Sequence, residues 1–392
     1  MIRILHTADW HLGREFHGAD LGPIHQRFFD WLAAEVERRR IDLLVMAGDV
    51  FDRALPPVSA VEMLNRELGR LAGLTRVVMI TGNHDSATRL GHGPLLREAI
   101  HLRAGTERLG EPLLYEEGGF PLAIYPVPYL DPASSAPALG VEAAGHEAVL
   151  REAVARCAAD LADRPGARSI AVGHAFVQGG EQSDSERSIE IGGTDRVPAT
   201  VFDCFDYVAL GHLHRPQGIR RPGAAEDEAP RIRYSGSPVP LSFSEVGPGL
   251  VKSVAVVELE ADGAVAVELV PVPPAVGMAR LRGTLEELLE DESFEAHREA
   301  WVEVTLTDRR RPDQPMERLR GRFEHVVSLR FESALSAESE GEAARLTEIA
   351  RSNPIELIGS FVEHVRGEGP DRAETELLAE ALDSRTGEEV RG

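Results

Sequence analysis

The sequence predicts an α/β fold, and three observations support it. Short apolar runs, each closed by Gly, Asp or Pro, recur along the first 270 residues, as buried strands do. Segments with helical apolar spacing lie between these runs, and such alternation is typical of a sheet with helices packed on it. Polar motifs directly follow several of the runs, and open α/β sheets place their sites at the carboxyl ends of strands.

The predicted elements follow from these patterns in chain order. Buried strands are expected at 2–7, 43–47, 77–81, 122–126, 169–173 and 207–211. Helices are expected at 23–40, 57–71 and 145–163, and the first two begin with a proline, which suits a first helical turn. The segments 231–235, 253–259 and 265–269 resemble antiparallel strands, and we expect them to form a second sheet packed on the first.

A Pro-Val-Pro-Pro stretch at 271–274 predicts the end of a domain that spans 1–270. The next segment, 275–331, has the pattern of a small α+β module, with strands at 278–282, 301–307 and 326–331 and helices at 284–290 and 316–323. A tail follows at 332–392, with 15 acidic and 6 basic residues and two amphipathic helical patterns at 354–366 and 373–382. We expect this tail either to pack on the body or to dock on a partner.

The composition limits the class of protein. The net charge is −23, which argues against coating of nucleic acid by charge alone but not against a nuclease, because bound divalent cations reverse the local field. Two cysteines predict a reducing compartment, and Lys252 is the only lysine. No signal-peptide segment precedes Asp9, and no run of about 20 apolar residues would span a membrane. We therefore expect a cytoplasmic protein.

Five short motifs carry most of the metal-binding side chains. They supply two predicted carboxylate ligands, an amide oxygen and five imidazoles, an inventory that suits two divalent cations around a phosphate ester. Each motif ends an apolar run, and the motifs are Asp9-Trp10-His11, Gly48-Asp49, Gly82-Asn83-His84-Asp85, Gly173-His174 and Gly211-His212-Leu213-His214.

The spacing within the motifs predicts how they act. Asp9 and His11 lie two residues apart, so on extended backbone both side chains face the same way, and His212 and His214 repeat that arrangement. Asp49 is the natural bridge, with one carboxylate oxygen for each of two cations. Gly48 and Gly211 are expected to let the backbone turn sharply beneath the ions. Mixed nitrogen and oxygen ligands favour Mn²⁺, Fe²⁺ or Zn²⁺ over Mg²⁺.

His84 is predicted to be a catalytic group and not a ligand. It follows the predicted ligand Asn83, and as an imidazolium it would stabilise developing charge or protonate the departing oxygen. Asp85 is expected to fix its tautomer or orientation. The other histidines are predicted to be surface or hydrogen-bonded core residues, and these are His6, His17, His25, His92, His101, His146, His297, His325 and His364.

These motifs, in this order, resemble those of the calcineurin-like metallophosphoesterase superfamily. Several longer stretches narrow the resemblance to its branch of bacterial nuclease subunits that process DNA double-strand breaks. The stretches are His6-Thr7-Ala8-Asp9-Trp10-His11-Leu12-Gly13, Ala47-Gly48-Asp49-Val50-Phe51-Asp52, Ser188-Ile189-Glu190-Ile191-Gly192-Gly193, the run from Phe205 to His214, and Tyr234-Ser235-Gly236-Ser237-Pro238. The resemblance covers nearly all of 1–270, and the order of module and tail extends it.

The resemblance implies a two-sheet α/β/β/α sandwich, a capping module at 275–331 and a partner-binding tail at 332–392. It implies two divalent ions, with Mn²⁺ the usual activator, and His84 as the catalytic histidine. It also implies an ATP-dependent 3′–5′ exonuclease on double-stranded DNA that cuts hairpins and single strands endonucleolytically, as a homodimer within a heterotetramer. The metal ligands carried over from the family are Asp9, His11, Asp49, Asn83, His174, His212 and His214.

The implied partner is a coiled-coil ATPase subunit bound through the tail helices, with DNA as substrate and no membrane. This chain lacks a Gly-x-x-x-x-Gly-Lys-Ser/Thr loop, so ATP dependence has to come from that partner. Archaeal and eukaryotic relatives carry a second catalytic histidine where this chain has Asp52, and the role of Asp52 stays open between orienting His84 and orienting a ligand. Candidate phosphate contacts in the module are Arg309, Arg310, Arg311, Arg318, Arg320 and Arg322.

Two other functions remain open from the sequence. A phosphodiesterase or phosphatase for small substrates would use the same site, but it would need neither the module, the acidic tail nor the segment 188–193. A scaffold without catalysis would typically lack ligands or the catalytic histidine, and this chain retains all of them.

Overall fold

The computed structural model describes residues 1–91, 98–116, 118–142, 145–186, 196–221, 223, 229–247, 249–274, 276–332, 358–359, 361–362 and 369–379. The strands are β1 (Ile2–Thr7), β2 (Glu15–Phe16), β3 (Ala19–Asp20), β4 (Leu43–Ala47), β5 (Arg76–Ile80), β6 (Ile100–Arg103), β7 (Leu113–Tyr115), β8 (Leu122–Val127), β9 (Arg168–His174), β10 (Phe176–Val177), β11 (Arg196–Val197), β12 (Tyr207–Gly211), β13 (Gln217–Ile219), β14 (Ile232–Tyr234), β15 (Ser253–Leu259), β16 (Val265–Pro271), β17 (Met278–Gly283), β18 (Trp301–Leu306) and β19 (His325–Phe331). The α-helices are α1 (Gly22–Arg39), α2 (Val58–Leu71), α3 (Ala87–Gly91), α4 (Pro132–Leu139), α5 (His146–Ala162), α6 (Leu285–Glu290) and α7 (Pro315–Arg320), and short 3₁₀ turns lie at Ala199–Phe202, Phe243–Glu245 and Glu292–His297.

Two six-stranded sheets contain most of these strands. The first has the order β16-β15-β1-β4-β5-β6, in which β1, β4, β5 and β6 run parallel while β15 and β16 are antiparallel additions. The second has the order β13-β14-β12-β9-β8-β7, with four parallel strands in the middle and antiparallel strands at both edges. Three of the six predicted buried strands therefore belong to each sheet.

The prediction that 231–235, 253–259 and 265–269 together form the second sheet was wrong. Strands β15 and β16 pair beside β1 in the first sheet, and only β14 joins the second sheet, where it runs parallel to β12. Local apolar spacing specifies that a segment is a strand and which face it buries, but it carries no information on the neighbouring strand. The division between the sheets therefore could not be read from these segments alone.

The two sheets pack face to face and carry helices on their outer faces. Ile4 and Val45 of the first sheet meet Ile170 and Tyr207 of the second in a core between the sheets. The alternate residues of the same strands, such as Leu44 and Met46 in β4, pack against α1 and α2. The outer face of the second sheet packs against α4 and α5 in the same way. The predicted α/β/β/α sandwich is confirmed.

The chain divides into two compact units. The first comprises Met1–Arg280, Ser293–Glu303 and Phe323–Ser328 and contains both large sheets, and the second comprises Leu281–Glu292, Val304–Arg322 and Leu329–Gly392. The strands β17, β18 and β19 form a three-stranded sheet in that order. The module limits of 275–331 and 332–392 remain a prediction.

Within the second unit, Thr284 caps α6. Its hydroxyl accepts a hydrogen bond from the backbone N–H of Glu287 at 3.2 Å. The Glu287 carboxylate in turn accepts one from the backbone N–H of Thr284 at 2.7 Å.

Most of the predicted tail helix 354–366 lies outside the described residues, and so does the segment 188–193, whereas residues 372–379 are helical. Within the described part of the chain, no helix combines the length and the apolar character needed to cross a membrane.

Candidate metal centre

Backbone strain marks the loops that follow β1, β4 and β12. Asp9, His11, Asp49 and His212 have φ angles of 53°, 47°, 53° and 108°, in the left-handed region that residues other than glycine rarely adopt. Such a conformation costs about 1–3 kcal/mol per residue and persists only where surrounding contacts impose it. Asp9 and His11 donate their backbone N–H groups to the carbonyls of Gly48 and Asp49, both at 3.0 Å. Strain concentrated in this way is typical of a functional site.

Close backbone approach explains the glycines of the motifs. A Cβ at Gly48 would lie 2.5 Å from His174 Nδ1, and one at Gly82 would lie 2.1 Å from Asp49 Oδ1. Gly48 also has a φ of 89°, so the expected sharp turn is present there. Gly211 does not turn in this way. It is required because a Cβ there would lie 2.0 Å from the Ala47 carbonyl oxygen.

The first cluster of potential ligands, which we call group A, consists of Asp9, His11 and His214. All three are buried, and one ligand atom of each lies within 4.8 Å of the others. The Nε2 atoms of His11 and His214 are 3.1 Å apart. A cation bound at about 2.0–2.1 Å brings two ligand nitrogens to roughly 3 Å from each other. Group A therefore has the geometry to hold one ion.

The second cluster, group B, consists of Asn83, His174 and His212. The Asn83 amide oxygen lies 2.9 Å from His174 Nε2 and 3.2 Å from His212 Nδ1. Asp49 lies between the groups, since its Oδ2 is 3.6 Å from His11 Nε2 and 3.5 Å from His174 Nε2. Its Oδ1 accepts the backbone N–H of His84 at 2.8 Å. A single oxygen of Asp49 thus faces both groups, whereas the motif pattern predicted one oxygen for each ion.

The burial and the protonation of the ligand groups fit cations at this centre. Asp9 Oδ2 in group A is buried without a hydrogen-bond partner among the described residues. Burial, reinforced by the charge of Asp49, raises the pKa of Asp9 well above its usual value. Burial also lowers the pKa of His11 to about 3 and lowers that of His174, which keeps both imidazoles in the neutral form that binds metal.

His84 lies beside the ligand atoms with a defined tautomer. Its Nδ1 is 2.6 Å from the carbonyl oxygen of Asp52, which only accepts, so Nδ1 carries the proton. Its Nε2 faces Asp49 Oδ2 at 4.0 Å, and its side chain is 5% exposed. The orienting role predicted for Asp85 was wrong. The Asp85 carboxylate instead accepts backbone N–H groups of Val50, Phe51 and Gly82 at 2.9–3.0 Å.

The role of Asp52 was left open between orienting His84 and orienting a ligand, and Asp52 contacts both His84 and the ligand His11. Its backbone carbonyl orients His84, and its carboxylate lies 3.5 Å from His11 Nδ1 and 3.2 Å from Arg14 Nη1. The role of the carbonyl could not be predicted, because a main-chain contact leaves no side-chain signature. The sequence motifs also did not indicate a set of residues around His214, namely Ser185, Glu186, Glu245 and Lys252.

None of the remaining described histidines belongs to a cluster of potential metal ligands. His6 is buried and contacts the Tyr207 hydroxyl and the Leu210 carbonyl, and His25 contacts the Trp10 carbonyl at 2.7 Å. His17 and His325 are exposed, His101 and His297 are half-buried and His146 is buried. His92 and His364 lie outside the described residues.

Comparison with known families matches residues 2–216 to the calcineurin-like phosphoesterase family. Residues 274–366 match the family SbcD_C, described as the type 5 capsule protein repressor C-terminal domain. The D subunit of nuclease SbcCD from Escherichia coli (strain K12) is 35% identical over 315 residues, which cover 78% of this chain and 75% of that protein.

Two solved structures show weak likeness. One is GAP50, the anchor in the inner membrane complex of Plasmodium, at 13% identity and a TM-score of 0.41, covering 69% of this chain and 85% of that chain. The other is TT1561 of Thermus thermophilus, at 11% identity and a TM-score of 0.39, covering 68% of this chain and 98% of that chain.

The sequence matches carry the assignment: the chain belongs to the calcineurin-like phosphoesterase family, whose members use divalent metal ions, and within it to the SbcD branch.

Proposed function

We propose that this chain is the nuclease subunit of an ATP-dependent DNA repair complex and hydrolyses DNA phosphodiesters at a two-metal centre. The proposal includes 3′–5′ exonuclease action on double-stranded DNA and endonuclease action on hairpins and single strands. One observation carries it: Asp49 Oδ2 lies 3.6 Å from a nitrogen of group A and 3.5 Å from a nitrogen of group B. The branch to which the chain belongs and the name of the E. coli relative support DNA as the substrate.

Seven side chains are proposed to hold the ions, namely Asp9, His11, Asp49, Asn83, His174, His212 and His214. Two such ions, when bound, acidify a water and neutralise the charge of a phosphodiester. The protein's part is to fix the ligand atoms and to exclude bulk water, because every histidine and aspartate of the two groups is buried. Mixed nitrogen and oxygen donors suit Mn²⁺, Fe²⁺ or Zn²⁺, and Mn²⁺ is the proposed ion because the family resemblance implies it.

His84 is proposed to act on the leaving group. The Asp52 carbonyl accepts a hydrogen bond from Nδ1–H of His84, so Nε2 is the nitrogen directed at the centre. A proton held on Nε2 would be given to the departing oxygen of the DNA strand, a role for which histidine suits neutral pH. The 4.0 Å separation from Asp49 Oδ2 places that nitrogen beside the ligand set.

DNA contacts are proposed on the arginines of the small module that remain available to solvent. Arg322 donates to the carbonyls of Leu288 and Asp291, so it has a structural role in this unit. Arg311 lies over the ring of Phe331 at 4.4 Å. Five of the six candidate arginines are exposed, and four of these make neither of the contacts just described. The proposed phosphate contacts are therefore Arg309, Arg310, Arg318 and Arg320.

The proposed partner is an SbcC-type coiled-coil ATPase, bound through the tail at 332–392 in a heterotetramer with two copies of this chain. The proposed location is the cytoplasm. The net charge of −23 supports the partnership, because a nuclease with this charge benefits from a second subunit to hold duplex DNA. Without residues 352–392, we expect the chain to cleave short single strands but to lose capture of the ATPase.

The test measures metal-dependent cleavage of a linear duplex, a DNA hairpin and a mononucleotide ester, with and without the ATPase. We expect Mn²⁺ to activate cleavage of the hairpin by the chain alone, and ATP with the ATPase to be required for degradation of the duplex. Cleavage confined to the ester would replace the proposal with a phosphodiesterase for small substrates. No cleavage of any substrate, with two ions bound, would indicate a scaffold.

A further inference from the structure

Lys252, the only lysine of the chain, is buried beside the metal centre without touching a ligand atom. Its side chain is 8% exposed, and its ammonium donates to the Glu245 carboxylate, to Ser237 Oγ at 2.7 Å and to the His214 carbonyl at 2.7 Å. An ammonium has three protons, and these three acceptors use all of them. Lys252 therefore links a buried carboxylate directly to the main chain of a proposed ligand.

Glu245 connects this lysine to the ring of His214 through a serine. Glu245 is fully buried, and its Oε1 accepts the hydroxyl proton of Ser185. Ser185 Oγ lies 2.5 Å from His214 Nδ1, while the direct separation between His214 Nδ1 and Glu245 Oε1 is 3.7 Å. That separation is too long for a hydrogen bond, so the hydroxyl of Ser185 is the bridge.

The direction of the hydrogen bonds follows from the proton count. Beside an ammonium, the carboxylate of Glu245 is ionised and only accepts, so the single hydroxyl proton of Ser185 points to it. The Ser185 oxygen then accepts from His214 Nδ1, which must carry the imidazole proton. His214 Nε2 is consequently the bare nitrogen, and it is the atom that lies 3.1 Å from His11 Nε2 in group A.

We propose that Ser185, Glu245 and Lys252 form a positioning relay that sets the tautomer and the orientation of His214 for the ion of group A. The inference rests on the two-metal function proposed above. Glu186 completes the arrangement, since its carboxylate accepts the backbone N–H of His214 at 2.8 Å. The backbone N–H, the backbone carbonyl and the ring of His214 are thus all held by this small set of side chains. Partners of this kind typically change metal affinity about 10–100-fold when they are removed.

The test compares Mn²⁺ binding by calorimetry for the wild type, Ser185→Ala and Ser185→Thr. We expect Ser185→Ala to lower the affinity for one of two ions about 10–100-fold. Ser185→Thr keeps the hydroxyl and is expected to restore the affinity. The matched control is Ser134→Ala, which removes an exposed hydroxyl that donates to the Asp131 carboxylate at 2.9 Å in the first turn of α4 and contacts no relay residue.

A second readout uses the metal-free protein. Long-range ¹H–¹⁵N spectra of the imidazoles report the tautomer, and we expect the His214 proton on Nδ1 in the wild type and a mixture of tautomers in Ser185→Ala. Thermal melting of the metal-free variants identifies any loss of folding. If the alanine variant is unstable, Ser185→Cys serves as the relay test, because a thiol is a weaker donor and acceptor than a hydroxyl, and we expect a lower affinity for one ion. Wild-type affinity in Ser185→Cys would then overturn the relay. Wild-type affinity and an unchanged tautomer in Ser185→Ala would overturn the relay. Failure of the wild type to bind two ions would instead overturn the proposed function.

Discussion

His174 and His214 occupy matching places in group B and group A, but the protein orients their rings by different means. His174 donates its Nδ1 proton to the backbone carbonyl of Ala47 at 2.9 Å, within strand β4. His214 depends on the side chain of Ser185, which in turn depends on Glu245. A carbonyl in a buried strand cannot be removed by substitution, whereas a side-chain relay can. Group A is therefore the part of the centre whose metal affinity depends on residues that bind no metal.

Asp49 lies between the two groups and faces both, so its replacement should have the largest effect. Asp49→Asn removes the charge that faces His11 and His174, and we expect both ions to bind weakly. Loss of several kcal/mol of charge stabilisation corresponds to a decrease in cleavage of at least about 10³-fold. Metal content after dialysis and cleavage of a hairpin measure the result. Two tightly held ions in this variant would remove Asp49 from the bridging position. Asp163→Asn, at an exposed helix end, serves as the control for loss of one charge.

Replacing one histidine of each group should separate the two sites. We expect His214→Ala and His174→Ala each to retain one ion, and the two retained ions to occupy different groups. With Mn²⁺, electron paramagnetic resonance would show the coupled pair of the wild type replaced by an isolated ion in each variant. A combination of both substitutions would then bind no ion tightly. If His174→Ala lost both ions while His214→Ala lost one, the groups would not be independent sites.

His84→Ala should leave the binding of both ions unchanged. Its Nε2 is 4.0 Å from Asp49 Oδ2 and its Nδ1 is held by the main chain of Asp52, so the ring is placed beside the ligands. We expect a decrease in cleavage of about 10²–10⁴-fold, the range for loss of a general acid, with wild-type metal content. His297→Ala, at a half-buried histidine away from the centre, is the matched control. Loss of bound metal from His84→Ala would make His84 a ligand.

The convergence of the motif residues could be predicted from sequence because of where they lie. Asp9 and Asp49 lie two residues after neighbouring parallel strands of the first sheet, and His174 ends a parallel strand of the second sheet. Each residue therefore lies at the carboxyl end of its strand, where α/β sheets place their sites. The strand limits themselves agree within one or two residues, because apolar runs define them locally. The sandwich needed the family resemblance, since nothing in the strands β8 and β9 shows that they leave the sheet that contains β1.

The relay around His214 could not be predicted, for a different physical reason. Ser185, Glu245 and Lys252 are polar residues of loops or strand ends, and they come together only through the folded path of the chain. No periodicity connects them, and a buried ion pair has the same sequence appearance as two surface charges. The one available signal was compositional, because Lys252 stands alone in a chain that otherwise uses arginine.

Asp52→Asn should have the smallest effect and tests how far group A depends on side chains. The substitution keeps the backbone carbonyl that orients His84 and removes the charge 3.5 Å from His11 Nδ1. Because that contact is longer than a hydrogen bond, we expect at most about a tenfold decrease in affinity for one ion, the lower end of the range for such partners. Mn²⁺ calorimetry measures it, and Asp30→Asn, which removes an exposed charge near Arg70, is the control. A loss of affinity as large as that of Ser185→Ala would mean that Asp52 orients His11 as firmly as the relay orients His214. An unchanged affinity would mean that Asp52 contributes to the centre only through its backbone carbonyl.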